Sequence, residues 1–318
     1  MSYALKISRE DDDRRLDRFL RSQFKNVALS EIMRAIRKGA IRVNASRVRD
    51  PGVHVFDGDE LLVPWALDSR DESADFTDFA AKKFARKFSD LGNVGIIYKS
   101  ENVLILNKPA GILVQPDVAG GDSIVTRAVS LFGRAFAVHR LDRNTTGAIA
   151  LALHGDSSRA LIELFRERSV KKYYAAIVSG EIKNRYEFEI NAPLKKDSQN
   201  NIVKVDLTDG LPAITLCRKL TGDSQYSLVM LELVTGRTHQ ARVHMSHVGH
   251  PIIGDRKYGL FNAKTDKKIK RPLLHAYEIS FPDDLPPSIA ELEGKIFRAP
   301  LPADMQEFIK LRAWDIEL

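Results

Sequence analysis

A polar cluster between two apolar runs has the residue types best suited to chemistry. Residues 136–147 read FAVHRLDRNTTG, with Asp142 between Leu141 and Arg143 and close to Arg140. Cationic neighbours favour an ionised carboxylate, which is the form that a nucleophile requires. An Asp in a turn that accepts hydrogen bonds from Thr hydroxyls and backbone amides has the same composition. The residue types alone favour the turn.

A second cluster, TGRTHQARVH at residues 235–244, follows a strand-like run and opens a predicted helix. Ala241, Met245 and Val248 recur at the spacing of a buried helix face. Arg237 lies at the junction of strand and helix. Its planar guanidinium suits a carboxylate or a phosphate as partner.

Four histidines in and after this cluster raise the possibility of a metal site. They are His239, His244, His247 and His250. Their spacings do not reproduce the HxxxH pair of zinc proteases, and no Cys lies nearby, so we expect no metal. Structural or RNA-facing histidines are the favoured interpretation. A histidine-metal hydrolase acting on RNA is the alternative, and chelator sensitivity would identify it.

A third segment, KKYYAAIVSG at residues 171–180, is typical of a strand. Side chains alternate along a strand, so Tyr173 and Tyr174 point to opposite faces. Aromatic residues in strands most often belong to the core, and either tyrosine fits that interpretation.

Strands and helices alternate from Gly95 to near the end of the chain and must position these clusters. One helix is predicted from Asp122 to Phe132, and Asp156 is predicted to cap another. No GxGxxG or P-loop pattern occurs, and no repeat of 20 to 45 residues is found. An α+β fold with a mixed, largely antiparallel sheet fits best.

Residues 1–66 are predicted to form a small α/β unit of two short helices followed by β-turns. Between residues 30 and 49 six bases oppose a single acid, Glu31, which leaves a local net charge of +5. The bases are Arg34, Arg37, Lys38, Arg42, Arg47 and Arg49. A solvated helix face is one interpretation, but charge this one-sided is more typical of a surface that contacts RNA or DNA.

Length and composition indicate two folded units and a polyanionic partner. The 318 residues include 49 bases and 42 acids, a net charge of +7. The single cysteine, Cys217, excludes an internal disulfide framework, and a cytoplasmic location is expected. Neither a signal peptide nor a membrane span is expected. We expect domains at 1–66 and 94–318, joined by a linker at 67–93 to which no chemistry is assigned.

The motifs resemble two known families. Residues 14–64 resemble the S4-like RNA-binding domain. From about Gly95 onward the chain resembles the RluA-type pseudouridine synthases, in particular the RluC-like branch that acts on bacterial large-subunit ribosomal RNA. The motifs that carry this second resemblance are NKPAGILVQP, HRLDRNTTG, KKYYAAIVSG, LELVTGRTHQARVH and GHPIIGDRKYG.

This resemblance implies an isomerase that converts uridine in RNA to pseudouridine and needs no cofactor or metal. It implies that Asp142 is the nucleophile, by attack on the ribose or by a glycal route, and that Arg237 pairs with it. Tyr173 would stack on the base and assist proton removal. Arg140 would fill the gap left by the flipped base, and His139 beside it would contact RNA. Large-subunit ribosomal RNA is the expected partner of a monomeric enzyme.

A non-catalytic RNA-binding or ribosome-assembly factor on the same scaffold is the competing hypothesis. Loss of Asp142 or Tyr173 would have favoured it, and both residues are present.

Overall fold

The computed structural model describes residues 3–7, 11–24, 27, 29–65, 90–116, 121–184, 186–197, 202–259 and 269–316. The chain divides into two compact units, Met1–Phe79 and Ala80–Leu318. Most of the predicted linker lies outside the described residues, so its role and the domain boundaries beside it stay predictions. Within the described parts of the chain, no helix is both long and apolar enough to cross a membrane.

The amino-terminal unit packs two helices against a small antiparallel sheet. Its described elements are β1 (Tyr3–Lys6), β2 (Arg14–Arg15), α1 (Leu16–Gln23), α2 (Leu29–Arg37), β3 (Ile41–Val43), β4 (Ser46–Val48), β5 (His54–Val55) and β6 (Glu60–Val63). The sheet order is β1-β6-β3-β4. Phe19 and Leu20 of α1 and Ile32 and Ile36 of α2 are buried in its core, as their helical spacing predicts.

The hairpin of β3 and β4 turns through Asn44 and Ala45, which both have positive φ angles, of 49° and 66°. Two positive φ angles give the turn the twist that a two-residue hairpin needs. The Asn44 side chain donates to Asp59 and accepts a hydrogen bond from the backbone N–H of Glu60. These contacts tie the hairpin to β6.

The second unit combines twelve described strands with four α-helices and one 3-10 helix. Its described elements are β7 (Gly95–Lys99), β8 (Val103–Lys108), α3 (Ile124–Phe132), β9 (Phe136–Ala137), β10 (Thr146–Ala152), α4 (Gly155–Arg166), β11 (Lys171–Ser179), β12 (Phe188–Asn191), β13 (Leu194–Asp197), β14 (Ile202–Val205), β15 (Ile214–Gly222), β16 (Tyr226–Leu233), α5 (Gln240–His247), β17 (Leu274–Ser280), a 3-10 helix (Pro287–Leu292), β18 (Ile296–Arg298) and α6 (Ala303–Leu311).

Two predicted helix caps were one or two residues off. Ser123, not Asp122, caps α3: its hydroxyl accepts from the backbone N–H of Thr126, whose own hydroxyl accepts from the Ser123 N–H. This reciprocal pair satisfies two N–H groups that the helix leaves open. α4 begins after His154, so Asp156 lies in its first turn.

One large sheet organises the second unit, in the order β12-β15-β16-β11-β17-β10-β8-β7, with β18 beside β17 and β9 beside β10. The neighbours pair antiparallel except β10 and β17, which are parallel. The α+β class with a mixed, largely antiparallel sheet is confirmed.

Strand β10 lies inside this sheet, between β17 and β8, and is buried along its full length. Ile149 and Leu151 pack in one apolar cluster with α3 and α5, whereas Ala148 and Ala150 pack in another with α4. Helices therefore cover both faces. A Cβ at Gly147 would lie 2.1 Å from the carbonyl oxygen of Ala276 on β17, so the close approach of the two strands requires glycine here.

Candidate active site

The loop that carries Asp142 joins β9 to β10, and the side chain of Lys108 binds its backbone. This lysine is completely buried at the end of β8. Its ammonium donates to the backbone carbonyls of Pro109, Arg143 and Thr145 at 3.0, 2.9 and 2.8 Å. Burial lowers the pKa of Lys108 to about 7, although the charge of Asp142 acts in the opposite direction.

Asp142 begins a turn, but its carboxylate has a distant partner. The backbone N–H of Thr145 donates to the backbone carbonyl of Asp142 at 3.1 Å, which closes the turn. The side chain instead accepts a hydrogen bond of 3.0 Å to its Oδ2 from Nη1 of Arg242. The carboxylate stays partly exposed, so a ligand can reach it.

Arg242 joins Asp142 to a second, buried carboxylate. Its Nε and Nη2 donate to the two oxygens of Asp255 at 2.7 and 2.8 Å. Burial alone lowers the pKa of Arg242, but its hydrogen bonds and attraction to Asp255 and Asp142 outweigh burial and raise that pKa. For the acid Asp255 burial acts in the opposite direction and favours a raised pKa. Arg242 and two backbone N–H groups outweigh burial, so the pKa of Asp255 is lowered. Arg242 is thus a permanent cation in a fixed position.

The predicted pairing of Arg237 with Asp142 is wrong. The Nε of Arg237 donates to the carbonyl of Pro212 at 3.0 Å, and its side chain is exposed. Arg237 precedes α5, whereas Arg242 lies in the first turn of that helix. A base there opposes the helix dipole, and the sequence has no acid in that turn to offset it. This unfavourable position was a signal in the sequence that Arg242 binds carboxylates in other parts of the chain.

The structure favours Tyr174 over Tyr173, the tyrosine chosen from sequence, as the residue on the side of Asp142. Their opposite directions on β11 follow the strand alternation, but Tyr174 is the one that packs in the buried cluster with Ile149 and Met245. Burial raises the pKa of the Tyr174 phenol, and the charge of Asp142 raises it further. Tyr173 pairs across the sheet with Glu232, and burial followed by that carboxylate raises its pKa to about 12. Tyr174 therefore shares the side of Asp142.

The two residues before Leu141 have different surroundings. Arg140 is exposed next to Asp142, and its role in the gap of a flipped base stays a prediction. His139 does not suit the predicted contact with RNA, because its Nε2 accepts from the backbone N–H of Ala150 at 2.9 Å. Its ring stacks on Phe165, and burial and then Lys172 lower its pKa to about 3. A neutral ring used in this way stabilises the loop instead.

The histidines of the second cluster also lie apart. His244 contacts Thr215 and the carbonyl of Ala192, and His250 contacts the carbonyl of Ser179. Nε2 of His239 lies 3.8 Å from Oδ2 of Asp142. Over the described ranges, no group of three or more His, Cys, Asp or Glu side chains is arranged to hold a metal ion.

The six bases between residues 30 and 49 are all exposed. Arg42 and Arg47 lie directly opposite each other on the β3–β4 hairpin. Like charges in that position repel, so the pair is better placed for an anionic partner than for stability. Side-chain atoms of Arg47 and Arg49 lie 3.7 and 3.3 Å from where a Cβ of Gly39 would be, so the bases gather over the end of α2.

The sequence families that match the chain cover both units. Residues 102–247 match the family described as RNA pseudouridylate synthase, and residues 14–61 match the S4 domain. Proteins called "Ribosomal large subunit pseudouridine synthase C" are similar over most of their length. The protein from Vibrio vulnificus is 38% identical, covering 84% of each chain, and that from Vibrio cholerae is 36% identical, covering 92% of this chain and 91% of its own.

Solved structures agree with these similarities. Human RNA Pseudouridylate Synthase Domain Containing 1 covers 73% of this chain and 99% of its own, with 25% identity and a TM-score of 0.53. Human RNA Pseudouridylate Synthase Domain Containing 4, at 24% identity and a TM-score of 0.57, shares the fold over 76% of this chain and 99% of its own. None of these relatives favours a non-catalytic factor.

Proposed function

The chain belongs to the RNA pseudouridylate synthase family, and from that premise we propose that it isomerises uridines of large-subunit ribosomal RNA with Asp142 as the attacking carboxylate. The reaction breaks the bond between N1 of uracil and C1′ of ribose and joins C5 to C1′ instead. C5 loses a proton and N1 gains one, so substrate and product are isomers. The work left to the protein is positioning, nucleophilic attack and proton transfer.

The contact between Asp142 and Arg242 is the observation that carries this proposal. A nucleophilic carboxylate must be ionised, correctly oriented and open to the substrate. Arg242 supplies a cation at 3.0 Å, and its two bonds to Asp255 prevent the guanidinium from turning away. Lys108 fixes the backbone of the turn through the carbonyls of Arg143 and Thr145. Asp142 itself remains partly exposed.

We assign to Tyr174 the role that the sequence suggested for Tyr173. Its ring lies in the apolar cluster on the side of Asp142, where an aromatic face could stack on the detached uracil. The raised pKa keeps the phenol protonated at neutral pH. The hydroxyl is thus a candidate for passing on the proton that leaves C5.

The substrate base must leave its stack to reach Asp142, and Arg140 is the proposed occupant of the gap. It is exposed and two residues from the carboxylate. The exposed bases over the end of α2 are proposed to bind phosphates of the same RNA, since phosphate contacts position a protein without reading sequence.

Tritium release from RNA labelled at C5 of uridine tests the proposal directly. Asp142→Asn should bind RNA nearly as well as the unchanged protein but release no tritium, because an amide is a poor nucleophile. Asp156→Asn is the matched control, since that side chain is exposed at the start of α4, and it should keep full activity. Substantial turnover in Asp142→Asn protein free of deamidation would overturn the assignment.

The substrate class rests on the relatives, whose names specify the large ribosomal subunit. Mapping carbodiimide-reactive pseudouridines in ribosomal RNA with and without the gene tests it. Missing pseudouridines in large-subunit RNA are expected, and an unchanged map would refute this substrate. We further propose a monomer that acts in the cytoplasm, where such RNA is found. Light scattering and cell fractionation test these two points.

A further inference from the structure

His239 has a backbone conformation that needs explaining. It precedes α5 with φ of 55° and ψ of 18°, in the left-handed region. Residues with a Cβ adopt this region rarely, and they keep it only where the surroundings determine it. Such residues occur often at functional sites. Here the conformation places the imidazole between Asp142 and Tyr258.

The two nitrogens of the His239 ring face different partners. Nδ1 lies 2.7 Å from the hydroxyl oxygen of Tyr258, which is hydrogen-bonding distance. Nε2 lies 3.8 Å from Oδ2 of Asp142, which is longer than a hydrogen bond. Distances of this kind often shorten when substrate binds and closes an active site.

Hydrogen-bond accounting at Tyr258 selects one tautomer of His239. The Tyr258 oxygen accepts from the backbone N–H of Val203 on β14 at 3.0 Å, which occupies one of its lone pairs. A phenol has a single proton, and His239 Nδ1 is the acceptor within reach of it. Burial raises the pKa of Tyr258, which keeps that proton on the phenol. Nδ1 then accepts, and a neutral imidazole carries its own proton on Nε2.

We propose that Tyr258 sets the tautomer of His239 so that Nε2–H points at Asp142, which makes His239 a positioning residue for the nucleophile. This inference rests on the proposed role of Asp142. Arg242 binds Asp142 from the first turn of α5, and His239 adds a second donor from the residue before that helix. Two donors from one rigid helix end restrict the rotation of the carboxylate better than one.

Burial is the largest influence on the pKa of His239, ahead of the four charged groups around it. Asp142 and Asp255 favour its protonated form, whereas Arg242 and Lys257 oppose it, and burial lowers its pKa below the ordinary 6.5. A neutral ring at neutral pH is the consequence. In a neutral ring the position of the single proton matters, because the wrong tautomer would point a lone pair at the carboxylate.

Tyr258→Phe tests the tautomer while keeping the aromatic ring that packs beside Arg242. Without the phenol, neutral His239 can place its proton on either nitrogen. Nitrogen-15 NMR of histidine-labelled protein should show the proton on Nε2 of His239 in the unchanged enzyme and a mixture in Tyr258→Phe. A proton found on Nδ1 in the unchanged enzyme would overturn the proposal, and this readout needs no activity.

The pH profile of the variant separates positioning from a general structural role. The single-turnover rate of Tyr258→Phe should be lower by about tenfold at pH 8 and recover toward the unchanged enzyme as the pH falls and His239 becomes protonated, because imidazolium donates from both nitrogens. A rate ratio that stays constant with pH would contradict the proposal, since a purely structural defect does not titrate.

A second substitution controls for folding and for the left-handed backbone. His239→Asn keeps a residue that tolerates this conformation but lacks Nε2, so its rate should fall by about tenfold at all these pH values. Adding Tyr258→Phe should then cause no further loss, because the phenol acts through His239. Additive losses would refute the coupling. Turnover in Asp142→Asn would instead refute the role of Asp142 and leave the tautomer result standing.

Discussion

Arg242 binds Asp142 with one nitrogen and Asp255 with two, so one guanidinium holds the proposed nucleophile and is itself held by a buried acid. The nucleophile and its partner are 100 residues apart in the chain. The planar fork of Arg makes this three-bond arrangement possible, and a lysine ammonium has no equivalent geometry.

Arg242→Lys should therefore lower the single-turnover rate by about 100-fold, the usual cost of removing one well-placed charged donor. Arg237→Lys is the matched control, because the side chain of Arg237 donates to the backbone carbonyl of Pro212 and not to Asp142. Its rate should stay within about threefold of the unchanged enzyme, because such a ratio corresponds to only a small part of the activation free energy. Tritium release at saturating enzyme measures both. Equal losses in the two variants would contradict the assignment.

Tyr174→Phe should bind RNA but lose turnover by about 100-fold or more, since the ring remains and the hydroxyl that moves the proton is gone. Tyr173→Phe should leave turnover nearly unchanged, because Tyr173 lies on the opposite face of the strand beside Glu232. Tritium release and filter binding distinguish chemistry from affinity. The reverse pattern would restore the choice made from sequence.

Lys108 should make stability depend on pH in a defined window. Burial lowers its pKa to about 7 in the folded protein, from the ordinary 10.5. Between these values the unfolded chain binds more protons, so the free energy of unfolding rises with pH. Burial of the ammonium lowers the free energy of unfolding by its full amount below about pH 7. This destabilisation disappears above pH 10.5.

Lys108→Met should remove this contribution. Urea unfolding of both proteins between about pH 7.5 and 9.5 should give slopes against pH that differ by about 1 kcal/mol per pH unit. Because only the difference in slope is used, other groups that titrate in both proteins cancel. Parallel curves would show that Lys108 stays charged when folded.

The exposed bases over α2 and the β3–β4 hairpin should affect binding and leave chemistry unchanged. If Arg37, Arg42 and Arg47 each contact a phosphate, replacing all three with Gln should flatten the slope of log affinity against log salt by about 2 to 3. Single-turnover rates at saturating enzyme should stay the same. An unchanged slope would indicate a solvated face without RNA contact.

Much of this protein could be predicted from short stretches of sequence. The hairpin turn at Asn44, the helical spacing of Leu16, Phe19 and Leu20, and the opposite directions of Tyr173 and Tyr174 depend on neighbours in the chain. Local backbone geometry determines such features, so residue order is sufficient. The motif around Asp142 was recognisable for the same reason, because its residues are contiguous.

The partners of those residues were decided only by tertiary structure. Both Arg237 and Arg242 lie in one motif, and the lack of an acid in the first turn of α5 marks Arg242 without identifying Asp142 as its partner. The answer depends on how α5 packs against the sheet and where the loop before β10 lies. Lys108 likewise donates a hydrogen bond to the carbonyl of Arg143, which is 35 positions away in the chain. A buried cation is stable only where carbonyls or acids surround it, and the fold alone brings those groups together.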